Sequence, residues 1–161
     1  MAIIPRFRIS VSSGEWPMPA RSMPVQLTIQ SAWKEAMSGV PGNEPRSLES
    51  WQAAKVDKEG WDPALWLLHE DAAGLAGVVL CERWEDGAGY VDSLAVAPRV
   101  RGTGLGRALL LHGLAALRGA GLRTAELSVQ GENASATRLY ESVGMTPAST
   151  IERWEKPLRT M

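Results

Sequence analysis

A glycine-rich segment that leads directly into a helix is the feature that most restricts how this chain folds. Residues 99–110 read RVRGTGLGRALL, so three glycines and three arginines precede a leucine- and alanine-rich helical pattern. Glycine lacks a Cβ, which allows backbone N–H groups to converge and a ligand to approach closely. A helix N-terminus adds unpaired N–H donors and a partial positive charge. The segment therefore indicates an anion site, and the alternative is a plain turn with solvated arginines.

The hydrophobic patterns on either side of this segment predict one α/β domain. Strand, helix and strand around residues 90–129 imply one parallel pair inside a mostly antiparallel sheet. Helices are predicted over 25–39, from Ser47 to 58, from the glycines to about Leu117 and over 133–143; strands are predicted over 63–70, 74–85, 88–97, 122–130 and 149–158. Residues 1–25 contain four prolines and are predicted to be an arm or an edge strand. Residues 26–161 form the predicted domain.

Composition excludes several classes of partner and site. A chain of 161 residues with a formal net charge of -1 gives no reason to expect nucleic acid or an anionic membrane as a partner. The single cysteine, Cys81, excludes an internal disulfide and fits a reducing compartment. We therefore expect a cytoplasmic protein.

Two well-known phosphate-binding loops do not match the segment. A Walker loop needs Lys and then Ser or Thr after its last glycine, but Gly106 is followed by Arg107 and Ala108. A dinucleotide fingerprint needs Gly-x-Gly-x-x-Gly, and the spacing of the three glycines is one residue short. Glu126 does lie about 20 residues on, where that fingerprint places an acid. The preceding strands, however, form a meander, which is not the opening of a nucleotide-binding βαβ unit.

A third signature fits the sequence. Residues 101–106, RGTGLG, match the Arg/Gln-x-x-Gly-x-Gly/Ala signature of the GNAT superfamily of acetyl-CoA-dependent N-acyltransferases. The stretch LAVAPRVRGTGLGRALL resembles that family's fourth strand, pyrophosphate loop and following helix. A second motif follows about 27 residues later, with Asn133, Tyr140 and Gly144 in the family's order. The chain is identified as a member of the superfamily over residues 74–145, of a bacterial stand-alone or tandem-half type.

The resemblance implies a fold and a donor site. The fold would be a mixed, mostly antiparallel central sheet of six to seven strands flanked by about four helices. The fourth and fifth strands would splay apart, and the pantetheine arm of acetyl-CoA would lie between them, with no metal required. Asn133 is equally well explained as a helix cap, and the arginines as solvated charges. The implied donor-binding residues are Leu94, Ala95, Val96, Arg99, Arg101, Gly102, Thr103, Gly104, Leu105, Gly106, Arg107, Asn133 and Tyr140.

Acyl transfer to an amine also needs an acid and a base. Tyr140 matches the family's tyrosine that donates a proton to the CoA sulfur. Asp92 and Glu82 are the predicted bases, because an acid within an apolar strand costs free energy unless it is paired or solvated. Glu126 is a further acid inside a strand. Strand alternation places Asp92 on the same face as Leu94 and Val96.

The predicted function is transfer of the acetyl group of acetyl-CoA to a primary amine by direct attack in a ternary complex. The acceptor would be a small molecule or a peptide, and a homodimer is left open. The alternative is a catalytically inactive CoA-binding domain that acts as a sensor or as the structural half of an assembly. The sequence does not identify the acceptor.

Overall fold

A computed structural model describes residues 2–10, 47–57, 61–84, 87–129 and 133–153. The predicted helix over 25–39 lies outside these residues. The described elements are β1 (Ala2–Ser10), α1 (Leu48–Lys55), β2 (Trp66–Asp71), β3 (Gly74–Arg83), β4 (Gly89–Val96), α2 (Leu105–Gly119), β5 (Thr124–Ser128), α3 (Ala134–Ser142) and β6 (Thr146–Arg153), with short 3₁₀ turns at Pro63–Leu65 and Pro98–Val100.

The described strands form one mixed sheet in the order β2-β3-β4-β5-β1-β6. The pairs β2–β3, β3–β4, β5–β1 and β1–β6 are antiparallel, whereas β4 and β5 are parallel and are joined through α2. This confirms the predicted mixed α/β architecture, with the parallel pair around residues 90–129. Three α-helices lie within the described ranges.

The N-terminal strand lies inside the sheet and not at its edge. β1 pairs with β5 on one side, with Arg6 opposite Ser128, and with β6 on the other, with Ala2 opposite Arg153. The prediction of an arm or an edge strand was therefore wrong for residues 2–10. Local alternation does not report whether one or both edges of a strand are paired, and this explains the error.

Each face of the sheet is covered by a separate apolar cluster. On the α2 face, Val79, Cys81 and Val91 pack with Leu110 and Leu114 of the helix. On the α1 face, Trp51 is 1% exposed and packs with Val78, Leu80 and Ala95. Six consecutive residues of β3, from Ala76 to Cys81, are buried because both of its faces are covered.

Glycines allow α2 to approach the sheet closely. A Cβ at Gly77 would lie 2.7 Å from Leu109 Cδ1, and one at Gly89 would lie 2.8 Å from Leu117 Cδ1. On the helix, a Cβ at Gly113 would lie 3.0 Å from Val79 Cγ2. The position of the helix N-terminus relative to the end of β4 therefore depends on residues that have no side chain.

Replacement of Gly77 by alanine is expected to lower the free energy of unfolding by about 1–3 kcal/mol. The new methyl group would meet Leu109 Cδ1 and lie 3.1 Å from the Ala95 carbonyl oxygen. Gly119→Ala is the matched control because nothing lies within 4 Å of its Cβ position. Urea unfolding should show that Gly119→Ala is as stable as the unmodified chain or more stable. Equal losses of unfolding free energy in the two variants would contradict the close approach of α2 to β3 at Gly77.

Candidate functional site

The parallel strands β4 and β5 part soon after they meet. Their recorded pairs are Gly89 with Ala125 and Tyr90 with Glu126. From Val91 onward β4 keeps its pairing with β3, while β5 pairs with β1. Within the described ranges β4 has no pairing with β5 along about 20 Å of extended chain, from Val91 to Val96, and we call the space beside this segment the gap. That the pantetheine arm of acetyl-CoA lies in the gap stays a prediction.

A β-bulge lies where the gap opens. Leu80 pairs with Ser93, but the next residue of β3, Cys81, pairs with Val91, so Asp92 is the extra residue on β4. Bulges bend a strand and increase its twist, and they are frequent beside functional sites. The bulge is therefore a physical reason for the β4–β5 pairing to end at this point.

The bulge also corrects one expectation. Val91, Leu94 and Val96 all pack in the α2-face cluster, although uninterrupted alternation would place Leu94 and Val96 on the face opposite to Val91. Asp92 contacts Lys55 of α1 on the other face. The prediction that Asp92 shares a face with Leu94 and Val96 was therefore wrong, because one inserted residue shifts the alternation.

The glycine segment ends at an open helix N-terminus. Gly102 and Gly104 have φ of 79° and 89°, values that L side chains rarely adopt, and nothing lies within 4 Å of the Cβ position of either glycine. Gly104 occupies the N-cap and provides no side-chain hydrogen bond. The first intrahelical bond runs from the Ala108 N–H to the Gly104 carbonyl, so the preceding N–H groups, from Leu105 to Arg107, face out of the helix end. This geometry suits an anion.

The three arginines of the segment differ in what they contact. Arg99 forms a salt bridge with Asp71 and donates to the carbonyls of Gly74 and Leu75, each at 3.3 Å. Its hydrogen bond lowers the pKa of Asp71. Arg101 Nε donates to the Val96 carbonyl at 3.3 Å. Arg107 is exposed in the first turn of α2.

The remaining loop residues keep the segment compact. Thr103 Oγ1 donates to the Val100 carbonyl at 2.7 Å. Leu105 packs against the α2-face cluster, and a Cβ at Gly106 would lie 3.5 Å from Val96 and 3.7 Å from Leu139. The loop, the end of β4 and α3 therefore meet at one point.

Helix α3 begins and ends with local signals. The Asn133 side chain caps the helix and accepts a hydrogen bond from the Ala136 N–H at 3.0 Å. This confirms its capping role, and its predicted contact with the donor stays a prediction. At the other end, the Met145 N–H donates to the Tyr140 carbonyl at 3.1 Å across Gly144, whose φ is 87°.

Tyr140 lies against the α2-face cluster near the gap. Burial raises the pKa of Tyr140 to about 12, with a smaller contribution from Tyr90. Tyr90 is the last β4 residue that pairs with β5, so this electrostatic influence links Tyr140 to the point where the strands part. The hydroxyl is therefore protonated at neutral pH, as the predicted acid requires.

Asp92 is held by two side chains. Lys55 Nζ lies 2.6 Å from Oδ1 and 2.5 Å from Oδ2, and the Ser93 hydroxyl donates to Oδ2 at 2.8 Å. The sequence analysis missed Lys55. Its position in the last turn of α1 is favourable for a cation, but no local pattern links it to a residue 37 positions away.

Two further carboxylates lie in one cross-strand row with Tyr90. Glu82 is opposite Tyr90 on β3, and Glu126 is opposite Tyr90 on β5, so the three side chains share one face. The Trp84 ring stacks on Tyr90 with centroids 4.1 Å apart, and its indole N–H donates to Glu82 at 3.0 Å. Glu126 is 6% exposed. The structure thus places Glu82 and Asp92 around the start of the gap.

Other chemistry finds little support in the described residues. Cys81 is buried, and desolvation raises its pKa, which opposes the thiolate that a nucleophile needs. Among the described side chains no group of three or more His, Cys, Asp or Glu residues is arranged to hold a metal ion. None of the described helices has the length and apolar character to span a bilayer.

The comparisons with known proteins agree with this geometry. Residues 28–145 match the model of the Acetyltransferase (GNAT) family. A GCN5-related N-acetyltransferase from Sphaerobacter thermophilus aligns over 92% of this chain and 49% of its own, with a TM-score of 0.77 and 28% identity. The ribosomal-protein-S18-alanine N-acetyltransferase of Escherichia coli, at 22% identity and a TM-score of 0.61 over 89% of this chain and 79% of its own, shows the fold alone.

The chain therefore belongs to the GNAT acetyltransferase family. Its curated relatives include the mycothiol acetyltransferase of Thermobispora bispora, which is 35% identical over 81% of this chain and 50% of the relative. The enzyme of the same name from Beutenbergia cavernae is 40% identical over 62% of this chain and 34% of the relative. The chain thus spans about a third to a half of the length of these relatives.

The raised pKa of Tyr140 predicts a pH effect on stability. An unfolded tyrosine ionises near pH 10.0, so between about pH 10 and about pH 12 the folded chain retains a proton that the unfolded chain has lost. The Tyr140 contribution to stability is complete below this range and is lost as the pH rises through it. Guanidinium unfolding across this pH range should show a smaller decline in the free energy of unfolding for Tyr140→Phe than for the unmodified chain. Equal declines with pH in the two proteins would contradict burial of the Tyr140 hydroxyl.

Proposed function

We propose that this chain is an N-acetyltransferase domain that transfers the acetyl group of acetyl-CoA to a primary amine by direct attack in a ternary complex. The proposal rests on one observation, which is that three features of the structure lie close together. They are the open N-terminus of α2, the gap between β4 and β5, and Tyr140 on α3. Membership of the GNAT family supports the same reaction.

The glycine segment is the proposed site for the donor's pyrophosphate. Its N–H groups from Arg101 to Gly106 and the end of the α2 dipole provide fixed positive character without a side chain in the way. Arg107, exposed beside them, adds a charge that reaches phosphate oxygens. Arg99 reaches this site only if it leaves Asp71, so its direct contact with phosphate is the weaker part of the prediction.

The gap beside β4 is the proposed site for the pantetheine arm. Of the predicted residues Leu94, Ala95 and Val96, the first and third direct their backbone groups to the side on which β5 has diverged, because backbone groups alternate along an antiparallel strand and Ala97, like Ala95, faces β3. An extended arm in this gap would pair with them as a neighbouring strand would. A backbone N–H directed at the thioester carbonyl would stabilise the oxyanion that develops during attack.

The proton transfers follow from the ionisation of the reacting groups. An aliphatic ammonium has a pKa near 10, so only about 0.1% of it is nucleophilic at neutral pH. We assign removal of this proton to a carboxylate at the start of the gap, where Glu82 and Asp92 lie. The amine nitrogen then bonds to the thioester carbon, the C–S bond breaks, and the Tyr140 hydroxyl donates its proton to the leaving thiolate. The second proton that the nitrogen loses on becoming an amide restores the Tyr140 hydroxyl through solvent.

Two variants of Gly104 that differ in charge alone test the donor site. Asparagine and aspartate both tolerate a left-handed backbone better than other side chains do. We expect Gly104→Asp to bind acetyl-CoA at least about 30-fold more weakly than Gly104→Asn, because about 2 kcal/mol of repulsion would act on the pyrophosphate. The measurement is calorimetric titration with acetyl-CoA, with NADH and ATP as control ligands. Equal affinities would remove the loop from the donor site.

The test of Tyr140 is a comparison of turnover with binding. Tyr140→Phe should leave acetyl-CoA affinity nearly unchanged and lower kcat by about 10²-fold, because a thiolate would leave without a proton. Thiol release is measured with aminosugars, diamines, amino-acid amides and the acceptor of the mycothiol acetyltransferases that this chain resembles. Unchanged turnover across the pH range would remove Tyr140 from the mechanism. Binding without transfer to any amine would favour the inactive CoA-binding domain.

A further inference from the structure

We propose that Lys55 and Asp92 form a positioning pair that holds the β4 bulge and thereby keeps the donor gap open. The inference rests on the proposed function, because it assigns a purpose to the gap. It adds Lys55 to the site and gives Asp92 a structural task in place of proton removal.

The contacts of Asp92 are the first support. Lys55 Nζ contacts both carboxylate oxygens, and Ser93 contacts Oδ2 as well. The Lys55 and Asp92 side chains are 16% and 18% exposed, about half the exposure of the salt bridge between Arg99 and Asp71. Water and salt therefore screen this pair less, so its loss has larger consequences than the loss of an exposed pair.

The position of the pair is the second support. Asp92 is the one residue of β4 between Val91 and Val96 without a partner on β3. Trp51 fixes α1 against the sheet and lies one helical turn before Lys55, which places both residues on the same side of the helix. The lysine thus reaches the single point of β4 that the ladder to β3 does not hold.

The consequence for catalysis concerns the proton of the amine. The Lys55 ammonium already contacts both oxygens of Asp92, and the Ser93 hydroxyl contacts Oδ2, so the carboxylate is engaged within the protein and not directed at the amine. Asp92 therefore acts through the shape of β4, and removal of the amine proton is left to another group at the start of the gap.

The experiment is a double-mutant cycle on the full chain, with acetyl-CoA as the probe. Lys55→Met, Asp92→Asn and the double variant should each bind acetyl-CoA about tenfold more weakly than the unmodified chain, because a small displacement of β4 misplaces the groups that line the gap. Lys55→Arg should restore most of the affinity. Arg123→Met, which removes an exposed cation from the loop before β5, is the control. Thermal unfolding of each variant separates lost binding from lost folding.

The charge-swapped variant, Lys55→Asp with Asp92→Lys, separates positioning from proton removal. If the pair positions the strand, the swap restores both binding and turnover relative to either single variant. Restored binding with absent turnover would return proton removal to Asp92 and overturn the proposal. If the swapped chain does not fold, the acetyl-CoA affinities of Lys55→Arg and Lys55→Met test the proposal, and equal affinities in these two variants would overturn it.

The outcomes also separate this proposal from the function on which it rests. An unmodified chain that does not bind acetyl-CoA would contradict the proposed function itself. The positioning pair alone would be overturned if Lys55→Met bound acetyl-CoA as tightly as the unmodified chain. It would also be overturned if the losses of affinity in the two single variants added in the double variant.

Discussion

The separation of β4 from β5 is the constraint on which the rest of the site depends. Two parallel strands normally continue side by side, because each unpaired backbone group in a sheet interior costs free energy. Here the pairing stops after Tyr90, where Asp92 is inserted into β4. The loss of backbone pairing leaves a line of backbone groups for an extended ligand. The proposed site for the pantetheine arm is thus made by the absence of a regular interaction, while the glycine segment forms the proposed site for the pyrophosphate.

The proposed pyrophosphate site requires that α2 begins at a fixed place relative to this gap. The helix is placed by close backbone approach at Gly77, Gly89 and Gly113, which brings leucines of α2 directly onto β3 and β4. Arg99 and Asp71 then fasten the start of the loop to the β2–β3 hairpin. Packing and one charged contact therefore fix the position of the glycine segment relative to the gap, and with it the distance between the two proposed parts of the donor site.

Local chemistry explains which features could be predicted from the sequence. The glycine turn, the start of α2, the Asn133 cap and the helix that carries Tyr140 depend on residues close in sequence, so local patterns were sufficient to predict them. The face of Asp92 could not be predicted, because a bulge depends on the partner strand. Lys55 was missed for the same reason, since only tertiary structure brings it to Asp92. The interior position of β1 depends on pairing with strands more than 100 residues away.

The placement of β1 also shapes how the chain reaches its native state. Ala2 is opposite Arg153 and Arg6 is opposite Ser128, so the β5-β1-β6 side of the sheet joins the two ends of the described chain. Such pairing gives a high contact order, and folding rates fall as contact order rises. Of the described strands, β1 is synthesised before β5 and β6, which are its partners. It is thus exposed to misassociation until they emerge, and rapid synthesis or chaperone binding would affect the yield of folded protein.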